Sequence, residues 1–186
     1  MEKLLKYKLI FCLSLPLLII FLILFLIIAV TGSVLSTPEL AITSLFKLPF
    51  KETVEYTITS KYGERLDPFT NEISFHSGID LGIIEGTEIN SVYPGEVVEK
   101  GYQENGLGEY VKVRHKIETS LYATVYGHLK KYSTLVNVGD EVDENTILAL
   151  SGSTGKSTGP HLHFEVHLLK KDGTLERKID PINIFE

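Results

Sequence analysis

The sequence predicts an all-β domain with only minor helix, carried behind one N-terminal membrane-spanning helix. Three observations predict it. From Thr53 onward, short apolar runs alternate with glycine-containing turns at close spacing. No window of a dozen residues in that region has a convincing 3.6-residue period. The stretch Leu9–Val30, 22 residues, contains no charged side chain and is interrupted only by Cys12, Ser14 and Pro16.

At about 1.5 Å rise per residue the apolar stretch spans roughly 33 Å, enough for the hydrocarbon core of a bilayer. Lys3, Lys6 and Lys8 precede it, so the positive-inside rule keeps the N-terminus cytoplasmic and exports the remainder. The stretch is longer than the roughly 7–15 apolar residues of a signal peptide. The small-residue sites after it, Val30-Thr31-Gly32 and Val34-Leu35-Ser36, are weak. A retained anchor is therefore expected rather than a cleaved leader. The implied organisation is a cytoplasmic stub and anchor at 1–31, a connector at 32–50 and a domain at 51–186. The connector holds Gly32, Pro38 and Pro49, and its ~20 residues reach at most roughly 70 Å.

Within the domain, strands are expected at Thr53–Thr59, Ile79–Ile83, Gly95–Tyr102, Tyr110–His115, Leu121–Tyr126, Ile147–Leu150 and His161–Leu169. Gly63, Gly86, Pro94-Gly95, Gly106, Gly108, Gly139-Asp140 and Gly173 supply the turns. Cys12 is the only cysteine, so the exported part must draw its stability from a core without disulfides. The chain carries −6 overall. Its first 31 residues hold three lysines and one glutamate, net +2, which leaves −8 for the rest. An acidic domain lacks the cationic surface that binding to nucleic acid requires.

Residues 151–167, SGSTGKSTGPHLHFEVH, contain a Gly155-Lys156-Ser157 that suggests a phosphate loop. The spacing rules it out. The first glycine of such a loop would fall at residue 150, which is Leu150, and Pro160 would break the helix that the loop must open. A carrier-type hairpin is also suggested, by Val138-Gly139-Asp140-Glu141-Val142 ahead of Ile147-Leu148-Ala149-Leu150, but nothing marks out a modifiable lysine.

The histidines carry more information. His76 and Asp80 form an H-x-x-x-D, His128 stands in Tyr126-Gly127-His128-Leu129, and His161-Leu162-His163 is an H-x-H. Alternate residues of a strand face one side about 6.8 Å apart, so His161 and His163 present two imidazoles to one surface. Imidazole and carboxylate ligands suit zinc, and three of them leave a fourth position for water. Geometry alone does not divide His161 from His163. His167 lies about 13 Å beyond His163 along the strand, and a structural role is expected for it, as for the lone His115.

His76-Ser77-Gly78-Ile79-Asp80-Leu81-Gly82, Tyr126-Gly127-His128-Leu129 and Ser157-Thr158-Gly159-Pro160-His161-Leu162-His163-Phe164-Glu165 resemble the signature motifs of the lysostaphin/LytM-type zinc metallopeptidases. These endopeptidases cut peptide cross-links or stems of bacterial peptidoglycan. The resemblance covers roughly Lys61 to Phe185 and includes Gly63-Glu64-Arg65, Asp67-Pro68, Val138-Gly139-Asp140 and Asp180-Pro181. It implies a compact antiparallel β-sheet peptidase domain related to barrel-sandwich hybrids. It also implies one Zn²⁺ per chain on His76, Asp80 and His163, with His161 as general base and His128 as a second catalytic histidine. Peptidoglycan peptide is the implied substrate, and the membrane is engaged through residues 9–30. A silent relative serving as an envelope scaffold or hydrolase activator is the alternative. Such relatives typically lack one or more ligands, and none of the five positions departs here. Glu144-Asn145 stands where the family usually has glycine, and because Asn tolerates the left-handed conformation better than most residues the turn is expected to survive there.

Overall fold

The computed structural model describes residues 45–185 together with Ile20, Leu22 and Ile23. The chain separates into two compact units, Met1–Ala41 and Ile42–Glu186. Apart from three helical positions, Ile20, Leu22 and Ile23, the expected membrane stretch 9–30 lies outside the described residues, as do the stub before it and most of the connector. No helix among the described residues is long and apolar enough to cross a membrane.

The second unit is built of antiparallel strands. In chain order they are β1 (Thr57–Ser60), β2 (Gly63–Leu66), β3 (Ile73–His76), β4 (Ile79–Gly82), β5 (Glu88–Asn90) and β6 (Gly95–Gln103). There follow β7 (Gly108–Ile117), β8 (Ser120–Leu129), β9 (Glu141–Val142), β10 (Ile147–Leu150), β11 (Leu162–Leu169) and β12 (Leu175–Ile179). A 3-10 turn at Ile182–Ile184 is the only helix in this unit among the described residues. The large sheet runs β1-β4-β11-β8-β7-β6-β9, and β12 also pairs with β11. β8 flanks one edge of β11 from His163 to Leu169; β4 and β12 share the other edge. β2–β3 and β5–β10 form two small two-stranded sheets.

Period-two patterning explains the long strands. Along β7, Val111, Val113, His115 and Ile117 turn inward while Lys112, Arg114 and Lys116 do not. β7 and β8 are joined by Glu118-Thr119, where Glu118 (φ 53°) takes the positive φ that a two-residue hairpin demands. No glycine marks that turn. Leu162, Phe164 and Val166 of β11 pack into the core with Tyr126 and Ile79, all fully buried. Each such side chain contributes roughly 1.5–3 kcal/mol.

Several expectations need correction. The first strand begins at Thr57 and not at Thr53, because Lys51–Val54 is closed as a turn by a Val54 N–H to Lys51 carbonyl bond of 2.9 Å. β2, β3, β5, β9 and β12 were not expected. β5 and β9 are three and two residues long, and β2 and β12 are rich in charged side chains. Gly63 opens β2 and is not a free turn. β11 starts at Leu162, with His161 held one residue earlier by an isolated bridge to Gly152. Phe46 and Phe50, placed in the connector by sequence, are buried in the core. The turn at Glu144-Asn145 survives without glycine, as expected, though not through a left-handed Asn145: the Asp143 carboxylate caps it, accepting from Asn145 N–H at 3.0 Å and Thr146 Oγ1 at 2.8 Å.

His115 is structural, as expected. It is fully buried, with Nδ1 3.0 Å from the Pro94 carbonyl and Nε2 2.8 Å from the Thr124 hydroxyl. Burial pushes its pKa from 6.5 down to about 4, despite backbone hydrogen bonds that favour the charged ring. The unfolded chain therefore binds this proton at higher pH than the folded one. The stabilisation is complete above about pH 6.5 and is lost as the pH falls toward 4. Urea unfolding of metal-free protein at pH 7 and pH 4 should show the parent losing about 3 kcal/mol more than His115→Gln. Equal losses would show that the ring does not titrate in this way.

Candidate active site

Strand register assembles the site. His163 of β11 stands opposite Asp80 of β4 on one side and Gly127 of β8 on the other. The H-x-x-x-D, Tyr-Gly-His and H-x-H segments, up to 87 residues apart, thus meet across three adjacent strands. His76 ends β3, and Ser77-Gly78 carries the chain from the small sheet into β4. Gly78 is required by close approach: a Cβ there would run into the Phe164 carbonyl oxygen, and would come within 2.9 Å of Glu165 Cγ and 3.0 Å of His163 Cε1.

Three buried side chains point ligand atoms at a common centre. His76 Nε2 is 3.1 Å from Asp80 Oδ1, His163 Nδ1 is 2.8 Å from the same oxygen, and the two nitrogens are 3.1 Å apart. Zinc ligands at about 2.0–2.1 Å in a tetrahedron lie roughly 3.3 Å from one another, so an expansion of a few tenths of an ångström matches this triangle. Two imidazole nitrogens and one carboxylate oxygen suit zinc better than calcium or magnesium, which favour oxygen alone. The residues present fit the metal.

The outward ring nitrogens fix the tautomers. His76 Nδ1 lies 2.9 Å from the Lys61 carbonyl, which can only accept, so that nitrogen carries a proton and Nε2 faces the centre. Burial alone would raise the Asp80 carboxyl, but hydrogen bonds with His163 and His76 outweigh it and hold the group far below the usual carboxylate range. Burial likewise opposes a charge on His163, yet Asp80 and Glu165 raise its pKa.

His161 and His128 lie beside the triangle. His161 Nδ1 donates to the Gly159 carbonyl at 2.8 Å, and Nε2 stands 3.7 Å from Asp80 Oδ1, farther than either nitrogen of the triangle. The structure thus distinguishes His161 from His163, which sequence spacing did not. His128 Nδ1 donates to the Thr154 carbonyl at 2.7 Å, and its ring lies 4.6 Å from that of His161. Burial lowers its pKa to about 4, with the neighbouring histidines adding to the effect, so the ring is neutral near pH 7 and its Nε2 is an acceptor. His128 has φ 57°; its N–H bonds the Leu107 carbonyl at 2.6 Å, beside a register shift between β7 and β8. A left-handed conformation at a bulky residue is uncommon, and such strain gathers at functional sites.

A groove of about 570 Å³ runs over these residues, walled by Arg65, Phe75, Tyr110 and Lys156 among others. Lys156 pairs with Asp67 at 2.6 Å across its mouth, which brings the Asp67 carboxyl down to about 2 and accounts for the lysine of the false phosphate loop. Arg65 lies 3.7 Å from Asp80 Oδ2. Sequence gave no reason to single it out beyond the Gly-Glu-Arg resemblance. His167 does not join the triangle: its Nε2 is 2.5 Å from Glu165 Oε2.

Known proteins resemble this chain in fold and in sequence. The catalytic domain of the antimicrobial peptidase lysostaphin from Staphylococcus simulans superposes with a TM-score of 0.58 at 29% identity, over 68% of this chain and 90% of that one. A zinc-containing peptidase from Vibrio cholerae gives a TM-score of 0.62 at 31% identity, over 74% of this chain and 39% of that one. The peptidoglycan DD-endopeptidase ShyC of Vibrio cholerae is 40% identical over 101 residues, 54% of this chain and 22% of its own length. The chain spans between 21% and 31% of the length of curated relatives such as these. Residues 74–181 match the model of peptidase family M23, more than half of the 186 residues. The chain belongs to peptidase family M23, the lysostaphin/LytM-type metallopeptidases.

Proposed function

We propose that this protein is a membrane-anchored zinc endopeptidase that hydrolyses peptide bonds in bacterial peptidoglycan. The observation that carries the reading is the triangle of His76, Asp80 and His163, with two further imidazoles facing it inside an open groove. Support for the substrate comes from a relative, ShyC, named as a peptidoglycan DD-endopeptidase.

In this reading His76 Nε2, Asp80 Oδ1 and His163 Nδ1 hold one Zn²⁺. The bound ion supplies positive charge that polarises the scissile carbonyl and makes water a better nucleophile near neutral pH. His161, with Nε2 directed toward the site, takes the proton from the attacking water and returns it to the leaving amine. His128 is held as an Nε2 acceptor by the Thr154 carbonyl. It orients the water by accepting a hydrogen bond and, being neutral, is poorly suited to stabilise an oxyanion.

Residues 9–30 anchor the protein in the cytoplasmic membrane with the N-terminus inside, and the connector confines the domain to the membrane-proximal wall. Two experiments test the proposal. Peptidoglycans of different cross-link chemistry are digested and the new termini identified by mass spectrometry: peptide cleavage with intact glycan strands is expected, and glycan cleavage contradicts it. The full 186-residue chain should fractionate with membranes. A soluble extracellular form beginning near Ser33 or Thr37 would remove the anchor and leave the chemistry standing.

A further inference from the structure

Glu165 has no part in the roles above, yet it lies against the candidate metal centre. It shares one side of β11 with His163 and His167, and is only 4% exposed. A buried carboxylate must be compensated by hydrogen bonds and opposite charge. Glu165 has both: the Ser77 hydroxyl donates to Oε1, His163 Nε2 is 3.1 Å from Oε1, His167 Nε2 is 2.5 Å from Oε2, and Lys178 Nζ lies 3.1 and 2.9 Å from the two oxygens. Lys178 stands beside His167 on β12. Its ammonium balances the carboxylate, so the pair adds no net charge to a site already holding Asp80.

We propose that Glu165 is a positioning residue for the metal centre: it accepts the Nε2–H of His163 and thereby directs the Nδ1 lone pair of that ring at the metal. The inference rests on the metal-centre reading above. Two observations favour positioning over simple neutralisation of Lys178. The carboxylate meets the one nitrogen of His163 that faces away from Asp80. Both residues lie two apart on a strand bonded along both edges, which fixes their relative placement. An anionic acceptor on the outer nitrogen also makes the inner nitrogen a stronger ligand.

The test is zinc affinity of the full chain, measured by competition with a chromogenic chelator. Glu165→Gln keeps the shape and removes the charge, and should bind zinc roughly 10–100-fold more weakly. His167→Gln spares the Glu165–His163 contact and should stay within about 3-fold of the parent, a margin well inside that outer-shell effect. Parent-like affinity in Glu165→Gln would overturn the proposal, as would an equal loss in both variants. A parent chain that takes up no zinc would bring down the metal-centre reading, and this inference with it. If Glu165→Gln does not fold, nitrogen-detected NMR of zinc-loaded parent decides. A His163 Nε2–H protected from solvent exchange supports the assignment, and an unprotonated or freely exchanging Nε2 overturns it.

Discussion

Replacing His163 with alanine should remove zinc binding and hydrolysis together. The ring supplies one of only three ligand atoms, and the site has no nearby substitute: His161 Nε2 stands 3.7 Å from Asp80 Oδ1, where His163 Nδ1 stands at 2.8 Å. Loss of a direct ligand should exceed the roughly 10–100-fold typical of an outer partner. Losing the several kcal/mol that a metal contributes to the transition state should cut the rate by ~10³-fold or more. Asp80→Ala should behave alike, with the added fault that His76 and His163 lose the charge they face. Metal content of the purified variants, read by atomic emission beside their rates, checks both. Full zinc in His163→Ala would overturn the ligand assignment.

His161→Ala should separate the two properties. Its ring lies outside the ligand triangle and its Nδ1 is engaged by the Gly159 carbonyl, so zinc content should stay at the parent level. Activity should fall by ~10²–10⁴-fold, the usual cost of a lost general base. A variant losing metal in proportion to rate would make His161 a ligand, and the proton acceptor would have to be sought elsewhere.

Much of this architecture was legible in the sequence, for a physical reason. β7, β8 and β11 are long enough for alternation to register, and most of the residues they turn into the core are apolar, His115 and Thr124 being exceptions. The short strands β5 and β9 carry no period to read, and β2, with Gly-Glu-Arg-Leu, is held by pairing to β3 and not by burial. Glu118 closes a hairpin with a positive φ that no glycine announces. Phe46 and Phe50 seemed to be connector because prolines surround them, yet their rings are buried in the core, Phe46 against Tyr93 and His115 and Phe50 against Tyr56.

The candidate site was legible as residue types and not as geometry. The three motifs named all five side chains, but spacing placed His161 and His163 on one surface without ranking them. The difference arises where β11 begins: His161 precedes the strand, while His163 lies within it, opposite Asp80. Glu165 and Lys178 were invisible as a pair, because their contact depends on β12 folding back along β11.

The most direct test is a zinc titration of chelator-treated full-length protein, following both bound metal and the release of new amino termini from purified peptidoglycan. Activity should return in step with binding and reach its plateau at one Zn²⁺ per chain. Peptide cleavage that persists without metal, or one bound zinc with no new termini, would contradict the account.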